Sequence, residues 1–98
     1  VIDYTFEWDA NKAQSNLRKH GVSFQEARSV FLDRWAVESF DVDHSSGEDR
    51  FIIIGMSERE RLLTVAYAFP RFTTIRIISA RRALTTERRP YEEQSPRR

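Results

Sequence analysis

The sequence predicts an α+β fold: a short strand, two helices, an antiparallel meander of four strands and a short last helix. Three observations carry this. Two capped helical stretches precede residue 33, separated only by Gly21 and Val22. Apolar segments at Phe51–Met56, Leu62–Phe69 and from Thr73 onward are then joined by connections too short for anything but antiparallel neighbours. Finally, Thr73–Arg89 (TTIRIISARRALTTERR) runs from an apolar strand into an arginine-rich helix start without a glycine or proline.

Tyr4–Trp8 alternates Tyr4, Phe6 and Trp8 against Thr5 and Glu7, the pattern of a short first strand. Asp9 then caps a helix over Ala10–His20, with Gly21 as its stop. Its apolar face is thin (Ala10, Ala13, Leu17), and Lys12, Asn16, Lys19 and His20 form a polar side read as solvated. In the next helix, Ser23 and Glu26 stand in the S-x-x-E spacing of a capping box, and Val22 and Ala27 are placed for a hydrophobic staple. Phe24, Ala27, Val30 and Phe31 give a buried stripe through about Leu32. The two helices are expected to cover a sheet.

Ala36–Phe40 reads as a strand, followed by a polar loop over Asp41–Asp49. His44, between acidic residues of that loop, reads as solvated rather than as a metal ligand. Phe51–Met56 (FIIIGM) reads as a central strand buried on both faces. Ser57–Arg61 is a charged turn, Leu62–Phe69 the next strand, and Pro70–Thr73 a turn into the arginine strand. There, simple alternation puts Ile75, Ile77 and Ser79 on one face and Thr74, Arg76, Ile78 and Ala80 on the other. An arginine as costly to bury as Arg76 implies that its face is open to solvent or to an anion. Thr85 or Thr86 is expected to cap the last helix, with Glu87 in its first turn. Pro90 is either tolerated there or kinks it. Residues 1–94 read as one domain, and 95–98 as a frayed tail.

With 98 residues the chain is long enough for one core and too short for two. A formal net charge of +1 hides an asymmetry. Residues 1–70 hold 8 Lys/Arg against 12 Asp/Glu, whereas residues 71–98 hold 8 Arg against 3 Glu. An acidic front and a basic back suit a partner at one surface and nucleic acid at another. The absence of cysteine excludes disulfides and thiolate metal sites. No apolar run approaches the roughly 18 residues of a membrane span, and VIDYTFEWD does not read as a signal peptide. The expected location is the cytoplasm.

Gly21, Gly47 and Gly55 are scattered, so there is no phosphate loop, and no metal, cofactor or triad motif is present. What remains is a set of cations and proton carriers: Lys19, His20, Arg59, Arg61, Arg76, Arg81, Arg82, Arg88 and Tyr91. Such a set suits cleavage of an RNA phosphodiester without a metal. The 2′-OH attacks its own phosphate, arginines stabilise the developing charge, and a side chain moves the proton. Arg76 with Arg81 or Arg82 would clamp the phosphate, and Lys19 and His20 would stabilise charge or transfer a proton. Arg59, Arg61, Arg88 and Tyr91 would hold RNA. His20 can equally pack or cap its helix. A non-catalytic nucleic-acid-binding or partner-binding module would fit the same composition.

Several stretches also carry a resemblance. They include Phe6-Glu7-Trp8-Asp9 with Lys12 and Asn16, Lys19-His20-Gly21-Val22-Ser23-Phe24, and Glu26-Ala27. Gly47-Glu48 with Arg50, Ile54-Gly55 and Arg61-Leu62-Leu63 continue it. Ile75-Arg76-Ile77-Ile78-Ser79-Ala80-Arg81 with Glu87-Arg88 and Tyr91-Glu92-Glu93 close it. Together these resemble the BrnT family of toxins from bacterial type II toxin–antitoxin pairs, over Phe6 to Glu93. The resemblance implies a RelE-like ribonuclease fold, two helices on an antiparallel sheet of about four to five strands. It also implies RNA cleavage that arrests translation and growth, with no cofactor. The implied partner is a BrnA-type ribbon-helix-helix antitoxin, which takes the complex to operon DNA.

Overall fold

A computed structural model of the chain describes residues 3–95. Its strands are β1 (Thr5–Glu7), β2 (Val37–Phe40), β3 (Arg50–Met56), β4 (Leu62–Arg71) and β5 (Thr74–Arg82). Its helices are α1 (Ala10–His20), α2 (Phe24–Ser29) and α3 (Thr85–Gln94), with 3-10 turns at Val30–Leu32 and Val42–His44. The strands form one sheet in the order β1-β5-β4-β3-β2. Strands β2 to β5 make the antiparallel meander that short connections require. β1 pairs parallel to β5, so the sheet is mixed rather than wholly antiparallel. Hairpins fix the direction of pairing, whereas the long helical connection after β1 leaves it free. β3 is interior as expected, but the middle strand is β4.

Helices α1 and α2 pack on β5. The core lies between them, with Val22, Phe24, Ala27 and Val30 against Val65, Tyr67, Ile75 and Ile77. Gly55 permits this packing: a Cβ there would lie 2.9 Å from Val30 Cγ1 and 3.0 Å from the Ala36 Cβ. The second helix gives way to the 3-10 turn at Val30, and Leu32 is exposed rather than closing the stripe.

The bounds of α1 follow its caps. Asp9 Oδ1 accepts the Lys12 N–H at 3.0 Å, and Gly21 takes the left-handed conformation at φ 70°. Its buried contact differs from the expected apolar stripe, because Leu17 is half exposed and Asn16 is buried. The Asn16 side chain accepts from the Ala80 N–H at 3.1 Å and donates to the Ala80 carbonyl at 2.8 Å. It also donates to the Val22 carbonyl at 3.0 Å. β1 pairs with β5 only over Thr74–Arg76. Farther along that edge, the Asn16 amide takes the place of a neighbouring strand. An Asn16→Ala change strands the Ala80 N–H and is expected to cost about 1–3 kcal/mol. The measurement is the urea midpoint at unchanged slope; an unmoved midpoint would contradict this role.

β4 continues through Pro70, expected in a turn, to Arg71. Pro70 falls in an irregular stretch of pairing between Ala68 and Arg71, where a missing N–H breaks no ladder bond. Neither threonine caps α3. Leu84 occupies the cap position, and its N–H donates to the Glu87 carboxylate at 2.8 Å. The helix runs through Pro90 without ending there. Of the tail expected to fray, Ser95 is buried and residues 96–98 lie outside the described residues.

One irregularity decides where the arginines go. Tyr67 pairs with Ile77 but Ala66 pairs with Ser79, so Ile78 is an extra residue, a β-bulge. Simple alternation therefore fails after Ile77. Ala80 joins Ile75 and Ile77 in the core, and Ser79 and Arg81 turn to the face that carries Arg76.

Candidate nucleic-acid interface

Residues directly opposite one another in a sheet point the same way. On the face away from the α1–α2 pair, Arg76 stands opposite Ala68, Ser79 opposite Ala66, and Arg81 opposite Thr64. Across β4 the same rows continue to Arg50, Ile52 and Ile54 on β3. Arg50, Arg76 and Arg81 thus share one open face. A concavity of about 390 Å³ there is lined by Asp41, His44 and Arg50, by Thr64 of β4, and by Ser79 and Arg81 of β5.

Carboxylates hold two of these arginines, Arg76 and Arg81. Arg81 makes a bidentate pair with Glu87, Nη1 to Oε1 at 2.8 Å and Nη2 to Oε2 at 2.9 Å. Glu87 also accepts from Thr64 Oγ1 at 2.9 Å, which anchors α3 to the open face. The hydrogen bonds from Arg81, outweighing burial, hold the Glu87 carboxyl down at about 2. The same contact raises Arg81 above the usual guanidinium value. Arg76 donates from Nε to Glu7 at 3.2 Å and from Nη1 to Glu48 at 3.0 Å. Burial pushes Glu7 up, but the hydrogen bonds and charges of Arg76 and Arg71 outweigh it and leave the carboxyl below its ordinary value. Among the described residues Arg50 has no ion pair.

The remaining candidates lie elsewhere. Arg82 stands opposite Leu63, on the helix side of the sheet and away from Arg76, so of the two arginines expected to join Arg76 it is Arg81 that shares its face. It lines a second concavity, of about 280 Å³, with Arg61 and Arg88. Lys19, exposed, and His20, half buried, end α1 beside Gly21, whose carbonyl accepts from Arg61 at 3.0 Å. Arg59 is exposed, 3.9 Å from Glu26, and Arg88 pairs with Glu92 at 3.4 Å.

Two of the residues expected to hold RNA are engaged within the fold. Arg61 is committed to Glu26 through two hydrogen bonds, Nε to Oε2 at 2.8 Å and a terminal nitrogen to Oε1, and its side chain is 18% exposed. Glu26 is buried, so this ion pair ties Arg61 into the fold. Tyr91 is also buried, and its hydroxyl donates to Asp33 Oδ2 at 2.6 Å. A buried ring cannot stack on a base.

Sequence reasoning read His44 as solvated and gave Arg50 and Ser79 no role, yet all three line the concavity on the open face. His44 Nδ1 lies 3.0 and 3.2 Å from the two Asp41 carboxylate oxygens. The available signal was the period of β3, which puts Arg50 on the face of Ile52 and Ile54. Among the described residues no group of three or more His, Asp or Glu side chains is placed to hold a metal ion.

The fold and this face define a small α+β protein with three arginines on one side of a mixed sheet. The chain belongs to the BrnT family: the family model described as "Ribonuclease toxin, BrnT, of type II toxin-antitoxin system" matches residues 8–87. It is therefore a ribonuclease toxin, with RNA as substrate and an antitoxin as partner. Its fold is similar to a 1.1 Å crystal structure of the Brucella abortus ribonuclease toxin BrnT. The TM-score is 0.62 at 24% identity, covering 85% of this chain and 100% of that one. No curated protein sequence matches. Among the described residues no helix is long and apolar enough to cross a membrane.

Proposed function

We propose that the chain is a metal-independent endoribonuclease of RelE-like kind, acting in the cytoplasm to stop translation and growth. The observation that carries this reading is the bulge at Ile78, which turns Arg76 and Arg81 to one open face. The RNA 2′-OH attacks the adjacent phosphorus, and negative charge grows on the non-bridging oxygens. Preorganised guanidinium groups stabilise that charge without a metal ion. Glu87 and the Glu7–Glu48 pair keep the two forks oriented. Lys19, His20, Arg59, Arg82 and Arg88 lie outside this site and attract the RNA strand beyond the scissile phosphate.

The partner in this reading is a BrnA-type ribbon-helix-helix antitoxin, and operon DNA is met only through it. One experiment tests both parts. Expressed with its operon neighbour, the toxin is expected to elute as an inert complex. Separated from the partner and refolded, it is expected to cleave RNA in the presence of EDTA. Elution alone would contradict the partner; cleavage abolished by EDTA and restored by a divalent cation would contradict the metal-independent mechanism.

A further inference from the structure

The arginines account for charge, but a proton must also leave the attacking hydroxyl. His20 ends α1 on the far side of the sheet from Arg76 and Arg81. The concavity on the open face contains another imidazole. We propose that His44 is the general base of RNA cleavage and that Asp41 is its positioning residue. This rests on the ribonuclease reading above.

The loop that carries the pair is fastened to the sheet. The Asp41 N–H donates to the Arg50 carbonyl at 2.8 Å, and the Arg50 N–H donates to Ser45 Oγ at 3.0 Å. The 3-10 turn Val42–His44 is thereby tied at both ends to the start of β3. The Asp41 side chain is 16% exposed and that of His44 67% exposed, so the carboxylate is the anchor and the ring is reachable. With Nδ1–H donated to Asp41, Nε2 carries the lone pair and is the nitrogen left for substrate. The same division of labour orients a histidine base toward a hydroxyl in hydrolytic triads. The charged groups around the ring are Asp41 from its own segment, Arg50 from β3 and Arg81 from β5, the last already paired with Glu87 of α3. Arg50 and Arg76 lie in one row flanking Ala68, two strand spacings or about 10 Å apart, so a nucleotide can bridge them.

His44 Nε2 takes the 2′-OH proton while the 2′-oxygen forms its bond to phosphorus. The bond from phosphorus to the 5′-oxygen breaks, and the leaving oxygen keeps the electron pair and takes a proton from water. The product is a 2′,3′-cyclic phosphate, and the imidazolium returns its proton to the hydroxide left in solvent. Arg81 and Arg76, with Arg50 in the same row as Arg76, offset charge on the non-bridging oxygens throughout.

The test compares wild type with His44→Ala and His44→Gln on an RNA oligonucleotide, alongside binding of its uncleavable 2′-deoxy analogue. Loss of a positioned base is expected to slow cleavage by roughly 10²–10⁴-fold, with analogue binding unchanged. Added imidazole should restore part of the lost rate to His44→Ala. The acid limb of the wild-type pH–rate profile should vanish in both variants. Wild-type rates in both variants overturn the proposal and leave the ribonuclease reading intact. A loss that imidazole does not rescue, with binding falling in parallel, also overturns it. A wild-type protein that leaves RNA intact overturns both readings.

Discussion

Arg81→Ala is expected to slow RNA cleavage by roughly 10²–10³-fold, or about 3–4 kcal/mol, while RNA binding changes little. The expectation follows from when the interaction is made. A guanidinium aimed at oxygens that gain charge only in the transition state contributes to rate and hardly to ground-state affinity. Arg81 is prepared for that task by Glu87, which is itself fixed by Thr64 and the Leu84 N–H. Lysine should rescue poorly, because an ammonium cannot reproduce a planar fork held by two parallel bonds. The fold should survive, since Glu87 keeps its other two hydrogen bonds and part of its surface is open to water. Cleavage and binding are measured side by side, with a thermal melt for each variant. If both fall together, by the amount that any exposed arginine costs, Arg81 is part of a basic surface and no clamp exists.

The second large effect concerns stability. Glu26→Gln removes a buried carboxylate that accepts from Arg61 Nε at 2.8 Å and Ser57 Oγ at 2.7 Å. Breaking one side of a buried ion pair typically costs 3–5 kcal/mol, because the abandoned cation stays in a poorly solvated place. Each kcal/mol is worth about 4–8 °C of Tm in a domain this size, so the loss is easy to see. Arg61 also bonds the Gly21 carbonyl, and the end of α1 should loosen with it. Chiefly through the Arg61 hydrogen bond, working against burial, Glu26 sits below the ordinary carboxylate value. A depressed folded value means that its stabilisation is present above the unfolded value and is lost as pH falls through the folded one. Glu26→Gln should therefore lose that part of the wild type's acid sensitivity. Replacing Glu26 and Arg61 together with apolar residues of similar volume should recover much of the loss. A Glu26→Gln protein that melts with wild type would refute the account.

What the sequence made legible was local. Asp9, Gly21 and Ser23 mark helix ends through contacts within three or four residues, and all three act at those ends. The meander follows from connections of two to nine residues, which leave strands little choice. The misses are long-range. Glu26 has the spacing of a capping box, but its carboxylate goes to Arg61, 35 residues away, where no local pattern points. Tyr91 looked available beside two arginines, yet it is drawn inward by Asp33, 58 residues back. Asn16 read as solvated because hydropathy does not register an amide that pairs with a strand's edge. The bulge at Ile78 had the largest consequence and no sequence mark, since neither glycine nor proline accompanies it. It separates Arg82 from Arg76 and unites Arg81 with Arg76, a choice that period-two counting got backwards.

The parallel pairing of β1 with β5 has a further consequence, for the order of events during synthesis. Thr5–Glu7 pair with Thr74–Arg76, so the first strand waits for the last before it has a neighbour. Closing so long a segment carries an entropic cost, which grows only slowly with its length. A nascent chain interrupted before β5 has no Arg76 or Arg81, no partner for β1 and no edge for Asn16 to complete. A translation product that stops before β5 therefore has neither a paired first strand nor the arginines to which we assign cleavage.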